Sequence, residues 1–243
     1  MQLAISNHEN LPVGQMHMSL PPITTEIKTP ADALETQAHK VGHWLREVRE
    51  MRGRVMFNER GRNTAFLSGD GTYIDADPFD FHSHHVLLRS SQRIVACARV
   101  SRLDRQTPGY VSTMLGQEKF DQVLRNLGIP FEQSCEASRW FVATEFRNLG
   151  LGPRVVAASW ALACSLNIQT AFVLAGTRFG QDRLLCRMGA QPVSGVATIP
   201  AGAIDDDVRL LYFNLTSPTR VTERRWNRKS DARTADHSYM YCN

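Results

Sequence analysis

The apolar positions change period several times along the chain, and each change marks an element. From Ala31 to Met51, the residues Leu34, Ala38, Val41, Trp44, Leu45 and Val48 recur at three- and four-residue steps with charged residues opposite. This predicts an amphipathic helix, which Val55 to Phe57 extend. His84 to Arg89 and Arg93 to Val100 are apolar runs separated by Ser90-Ser91-Gln92, the pattern of a β-hairpin with a short polar turn. A helix is predicted through Met114 and Phe120 to Leu127, closed by Gly128 and Pro130. Glu136 to Ala143 alternates as a half-buried strand, breaks at Arg147 to Arg154, and continues as a helix over Val155 to Asn167. Thr170 to Ala175 reads as a short buried strand and Arg178 to Met188 as a helix ending at Gly189, with Gln191-Pro192 leading away. Asn58 to Asp75, rich in Gly, Arg, Asn, Asp and Ser, has no assignable period.

The ends of the chain lack such patterning. Residues 1–30 are expected to form a flexible leader, residues 31–217 a single domain and residues 218–243 a basic tail carrying Arg220, Arg224, Arg225, Arg228, Lys229 and Arg233. With 243 residues and 42% hydrophobic content the chain can bury a substantial core. No apolar run approaches the roughly 18 residues of a membrane span, and the first residues lack the charged and apolar regions of a signal peptide. The expected location is therefore cytoplasmic. Cys97, Cys135, Cys164, Cys186 and Cys242 are odd in number, without paired metal spacing, and read as reduced thiols. The net charge of +4 is modest, and the basic tail has no aromatic platform beyond Trp226, so nucleic acid is not an expected partner. His82, His84 and His85 at a strand start place at most two rings on one face, and no metal site is expected.

Two stretches carry candidate chemistry. Gly150 and Gly152, between a strand and a helix, allow a tight turn with amide N–H groups outward and the positive end of the helix dipole behind them, which suits an anion. No acidic residue follows about 20 residues on at the end of the next strand, which argues against a dinucleotide fold. Asp75, Asp77 and Asp80 fall around Pro78, which excludes a regular strand or helix interior and places them on a loop or strand entrance.

Arg147-x-x-Gly150-x-Gly152 resembles the acyl-donor loop of the GCN5-related N-acyltransferase (GNAT) superfamily. Four further stretches are similar, in order, to one branch of it, the acyl-homoserine-lactone synthases of quorum sensing and autoinducer synthesis. They are Asp75-x-Asp77-x-Phe79-Asp80, Ala96-Cys97-Ala98-Arg99, Met114-Leu115 with Phe120, and Glu136-x-Ser138-Arg139-Trp140. The resemblance covers roughly residues 46–216. It departs in lacking a tryptophan between the first helix and the acidic segment, in the loose match of Arg52 or Arg54 and Phe57, and in Val100 to Asp104 where Pro-Thr is the family pattern. The clear Arg147-x-x-Gly150-x-Gly152 loop is also closer to general N-acyltransferases and to the related N-acyl amino acid synthases.

The resemblance implies an α/β (α+β) GNAT-like fold, a central mixed twisted sheet flanked by helices. It implies an acyltransferase that moves a fatty acyl group from an acyl carrier protein or CoA thioester to the amine of S-adenosylmethionine, with no permanently bound cofactor. Glu136, Arg139 and Arg99 would be catalytic, Glu136 as the base. Asp77, Asp80 and Phe120 would bind the acceptor, and Arg147, Leu149, Gly150, Gly152 and Arg154 the donor. Amino acids as acceptors, and a non-catalytic thioester-binding module, stay open as alternatives. Asp77, Arg99, Glu136 and Arg139 also read as an ion-pair network that orders the loop. Arg147, Arg154, Arg178, Arg183 and Arg187 read either as a charged helix surface or as a basic rim for an acidic carrier protein. No tyrosine stands near Leu185 or Cys186, where many acetyltransferases carry the acid for the departing thiolate.

Overall fold

Successive Cβ atoms of a strand point to opposite faces, so alternation along each strand decides which helices it meets. The computed structural model describes the backbone of residues 22–38, 43–58, 71–105, 109–202 and 205–216. Within them lies one mixed sheet of β1 (Ile23–Lys28), β2 (His84–Ser90), β3 (Arg93–Arg102), β4 (Ser134–Val142), β5 (Thr170–Gly176), β6 (Gln191–Pro192), β7 (Ile199–Ala201) and β8 (Asp206–Asn214). The order is β1-β2-β3-β4-β5-β8-β6, with β7 also on β8. Only β4 and β5 pair in parallel. The helices are α1 (Pro30–Ala38), α2 (His43–Gly53), α3 (Tyr110–Leu115), α4 (Gln117–Leu127), α5 (Leu151–Ser165) and α6 (Gln181–Arg187). A π-helical turn, Arg54–Asn58, continues α2.

On one face Val86, Leu88, Ala96, Ala98, Ala171 and Val173 pack with Leu151, Val155, Leu162 and Ala163 of α5. The alternate residues face the other way. Leu87, Ile94 and Cys97 meet Val48 and Met51 of α2, while Phe172 and Leu210 meet Val111, Phe120, Val123 and Leu124 of α3 and α4.

The predicted hairpin and the strands around Glu136 and Phe172 are present. Other boundaries differ, each for a local reason. Ile23–Lys28, read as leader, pairs along β2 as an edge strand. The single helix expected over Ala31 to Met51 is two elements, α1 and α2, with residues 39–42 outside the described set. Leu34 is accordingly exposed while Ala33 is buried. Gly116, at φ 89°, divides the helix expected up to Leu127 into α3 and α4. Residues 1–21, 59–70 and 217–243, which include most of the leader, most of the unassigned stretch and the basic tail, lie outside the described residues.

Two glycines shape the site's frame. A Cβ on Gly53 would stand 2.3 Å from the Tyr73 carbonyl oxygen, so only glycine lets the chain cross the end of α2 this closely. Gly150 caps α5 at φ 74°, a left-handed turn that starts the helix at Leu151, earlier than the apolar period suggests.

Candidate active site

The crossing over Gly53 delivers the acidic segment to α2, where the Asp75 amide donates to the Arg49 carbonyl at 3.1 Å. Asp77 then caps a 3-10 turn, Pro78–His82, by accepting from the Phe79 amide at 2.9 Å, with Pro78 at the first helical position, where a missing N–H costs nothing. The turn aims Asp80 inward, with no exposed surface.

Four arginines converge on these carboxylates. Arg52 places Nη1 and Nη2 on the two Asp80 oxygens at 2.9 and 2.8 Å and Nε 3.0 Å from Asp75 Oδ2. Arg49 Nε donates to Asp80 Oδ2 at 2.9 Å. Arg99 Nη1 lies 2.9 Å from Asp77 and 3.1 Å from Asp80. Arg139 reaches Asp75 at 2.8 Å and Asp77 at 2.6 Å. Arg52 and Arg99 are fully buried, so their charges are tolerable only because they are paired. Burial alone would raise the Asp80 and Asp77 carboxyls, but the arginines outweigh it and hold both below the usual range. Burial depresses the His85 imidazole to about 4, and its Nε2 lies 3.0 Å from the Asp80 carbonyl oxygen, so the neutral ring donates there.

Beside this cluster the sheet opens. The parallel ladder of β4 and β5 runs from Ser134–Thr170 to Glu136–Phe172 and stops. Past it β4 bulges, because Cys97 faces Phe141 and Arg99 faces Ser138, so Arg139 and Trp140 together oppose Ala98, and Arg139 takes φ 54°. The gap is a cavity of about 390 Å³. Asp75, Asp77, Glu136, Arg139 and Tyr110 line its polar part, and Phe141, Trp160 and Leu174 are among its apolar walls.

Glu136 is buried, and its Oε2 accepts from the Val111 amide at 2.8 Å. Among the described residues no salt bridge engages it, unlike the three aspartates. Burial raises its carboxyl above the ordinary value, against the Val111 N–H and the more distant Arg99 and Arg139 charges. A carboxylate with a raised pKa at the junction of a charged pocket and an apolar cleft has the character of a general base.

The fold that carries this site is shared with known proteins. The acetyltransferase (GNAT) domain family matches residues 51–155. A search of curated sequences finds no match. Solved structures do match. The chain superposes on the acyl-homoserine-lactone synthase LasI with TM-score 0.58 and 15% identity, covering 83% of this chain and 94% of that one. The CoA-dependent acyl-homoserine lactone synthase BjaI, with S-adenosylmethionine and isopentyl-CoA, gives 0.60 and 17% over 86% and 90%. FeeM, an N-acyl amino acid synthase from uncultured soil microbes, gives 0.58 and 10% over 84% and 98%. The fold is that of the GNAT acyltransferases.

On the GNAT frame the residues singled out from the sequence take different places. Glu136, Arg139 and Asp77 line the cavity, whereas Arg99 and Asp80 stand behind them and hold them in place. Phe120 lines no part of the cavity. It has no exposed surface and packs edge-on against Phe172 at 5.1 Å, so it supports the ladder's last rung and does not face an acceptor. Gly150 and Gly152 open α5 beside the cleft, and Leu149 is exposed there. Arg154 turns toward the far edge and donates to the Ile23 carbonyl at 2.6 Å, so its guanidinium ties α5 to β1. In the proposed basic rim Arg178 pairs with Asp205, while Arg147, Arg183 and Arg187 are exposed.

Sequence reading missed Arg49, Asp75 as an ion-pair partner, Tyr110 and Trp140 as site residues, and placed Arg52 only loosely. The spacing of Arg49 and Arg52, three apart on one helix, was the available signal. Tyr110 carried none, because it comes to the cavity only through the packing of α3. Among the described residues no group of three or more His, Cys, Asp or Glu is arranged to hold a metal, and no helix is long and apolar enough to cross a membrane.

Proposed function

We propose that the protein transfers a fatty acyl group from a phosphopantetheine thioester, carried by acyl carrier protein or CoA, to the amine of S-adenosylmethionine, releasing an acyl-homoserine lactone and methylthioadenosine. The observation that carries this is the position of Glu136, where the β4–β5 ladder ends, between the aspartate–arginine pocket and the apolar cleft. The thioester would lie in the cleft with its chain along Phe141, Trp160 and Leu174, and its phosphate end toward Gly150 and Gly152. The acceptor amine would enter past Asp75 and Asp77, lose a proton to Glu136 directly or through a water, and attack the carbonyl. The C–S bond would then break, the phosphopantetheine leaving as the free thiol with that proton, and the acceptor's carboxylate would close the lactone by displacing methylthioadenosine at the carbon bonded to the sulfonium. Arg139, with Arg99 behind it, would hold the acceptor's carboxylate. The exposed Arg147, Arg183 and Arg187 suit an acidic carrier protein.

One observation favours a second reading. The three aspartates are matched by Arg49, Arg52, Arg99 and Arg139, while no salt bridge engages Glu136 among the described residues. A pocket so neutralised suits the zwitterion of an ordinary amino acid as well as it suits the additional sulfonium of S-adenosylmethionine, giving an N-acyl amino acid synthase. Incubation of one acyl thioester with S-adenosylmethionine and a set of amino acids together separates these, read by product mass. Lactone with methylthioadenosine supports the first reading, an N-acyl amino acid the second, and absence of either opposes both.

A further inference from the structure

Trp140 is the second residue of the β4 bulge, and its ring lines the cavity. The indole lies on the first turn of α5, where a Cβ added to Gly152 would meet the six-membered ring at 3.2 Å and Nε1 at 3.9 Å. Glycine at 152 is what lets the ring lie there. Nε1 is sealed from solvent and has no hydrogen-bond partner among the described residues. An indole N–H is a donor only, and a buried donor without an acceptor costs free energy. Trp160, the other cavity-lining indole, shows the contrast, since its Nε1 donates to the Leu215 carbonyl at 3.3 Å.

The first turn of α5 is itself short of donors. A helix start normally presents the N–H groups of its first residues, but Pro153, the third residue of α5, has none. The indole Nε1 of Trp140 stands 3.9 Å from where a Cβ on Gly152, one residue before that proline, would lie.

We propose that Trp140 Nε1–H binds the acyl donor, donating a hydrogen bond to a carbonyl oxygen of the phosphopantetheine arm, either the thioester carbonyl or an amide. This rests on the acyltransferase reading for the donor's identity, and on the orphaned N–H and its seat on Gly152 for the residue. In the free protein the unpaired donor carries a desolvation cost that the ligand's oxygen removes, so the contact adds affinity for a carbonyl that a phenyl ring in its place would lack.

The test uses the full chain, with phosphopantetheine and its octanoyl thioester as probes, these being common to CoA and carrier-protein donors. Binding is measured by titration calorimetry for the natural protein and for Trp140→Phe, which keeps an aromatic ring and removes the N–H. About tenfold weaker binding of both probes by the variant places the bond on an arm amide, and a loss confined to the thioester places it on the thioester carbonyl. Equal affinities overturn the proposal. A second readout stands if the variant misfolds. The hydrogen-bond-sensitive indole band in the ultraviolet resonance Raman spectrum of the natural protein should shift on adding the thioester, and an unchanged band overturns the proposal. Failure of the natural protein to bind either probe is a different result, which removes the donor reading and this assignment with it.

Discussion

Glu136 and Phe172 form the last rung of the parallel ladder between β4 and β5, and what each supports differs. Phe172 points into the core under α3 and α4, where Phe120 packs edge-on against it. Glu136 accepts from the Val111 amide in the first turn of α3 and borders the cavity. The point where the sheet opens is therefore fixed from below by aromatic packing and occupied by a buried carboxylate that no salt bridge engages among the described residues. Glu136→Gln retains an oxygen for the Val111 amide and removes the basicity. It should lower kcat by about 10²–10⁴ with little change in thermal stability, measured by thiol release and thermal melting.

The pH dependence of turnover follows from the same residue. Burial raises the Glu136 carboxyl, so the protonated, inactive form persists to higher pH than for an exposed glutamate. The acidic limb of kcat/KM should therefore lie above the ordinary carboxylate range. The limb should vanish in the small residual activity of Glu136→Gln.

Asp80 and Asp77 should separate stability from binding. Asp80 joins Arg49, Arg52 and Arg99 with no exposed surface, so Asp80→Asn leaves buried guanidinium charge uncompensated and should destabilise by about 3–5 kcal/mol. Asp77 lines the cavity and pairs with the partly exposed Arg139 and with the buried Arg99, which keeps Asp80 as a partner. Asp77→Asn should lose less stability and instead raise KM for the acceptor without raising that for the thioester. Denaturant titration and steady-state kinetics on both variants read the contrast.

His85 gives a pH signature of stability. Its folded-state pKa is depressed to about 4 from the ordinary 6.5, so between these values the unfolded chain binds the additional proton. Stability from this group is present above the unfolded value and is lost as pH falls toward 4, by at most about 3 kcal/mol. Glu136, raised by burial, acts in the opposite sense, stabilising most at low pH and losing that contribution as pH rises through its folded pKa. His85→Gln, which keeps a donor for the Asp80 carbonyl, should flatten the fall between pH 6.5 and 4 in chemical unfolding.

Leu174 lines the apolar part of the cavity. Leu174→Trp should shift acyl preference toward shorter chains, with kcat/KM for a long-chain thioester down at least tenfold and that for a short one nearly unchanged.

Much of this arrangement was legible in the sequence because it rests on local signals. Two apolar runs around a short polar turn marked the hairpin of β2 and β3, and Gly128 closed α4 in the left-handed conformation. The glycines at 150 and 152 marked the start of α5, although the left-handed turn at Gly150 set it at Leu151, ahead of the apolar period. Asp77 and Glu136 were found as candidates through resemblance. What stayed hidden is long-range. Arg49 and Arg52 acquire meaning only when Gly53 admits Tyr73 against α2 and brings Asp75 and Asp80 within reach. Phe120 looked like a ligand residue in the pattern, yet its place under Phe172 is a matter of tertiary packing. Arg154 sits in a donor-like loop, but a helix turn directs it to β1, an element that the polar composition of the leader concealed.

The most direct test of the central claim is thiol release from an acyl carrier protein or CoA thioester in the presence of amine acceptors, for the natural protein and Glu136→Gln, with product mass determined. The account predicts acceptor-dependent release matched by one N-acylated product, and loss of both in the variant. Release that needs no amine, release equal in the two proteins, or no release with any acceptor would contradict it.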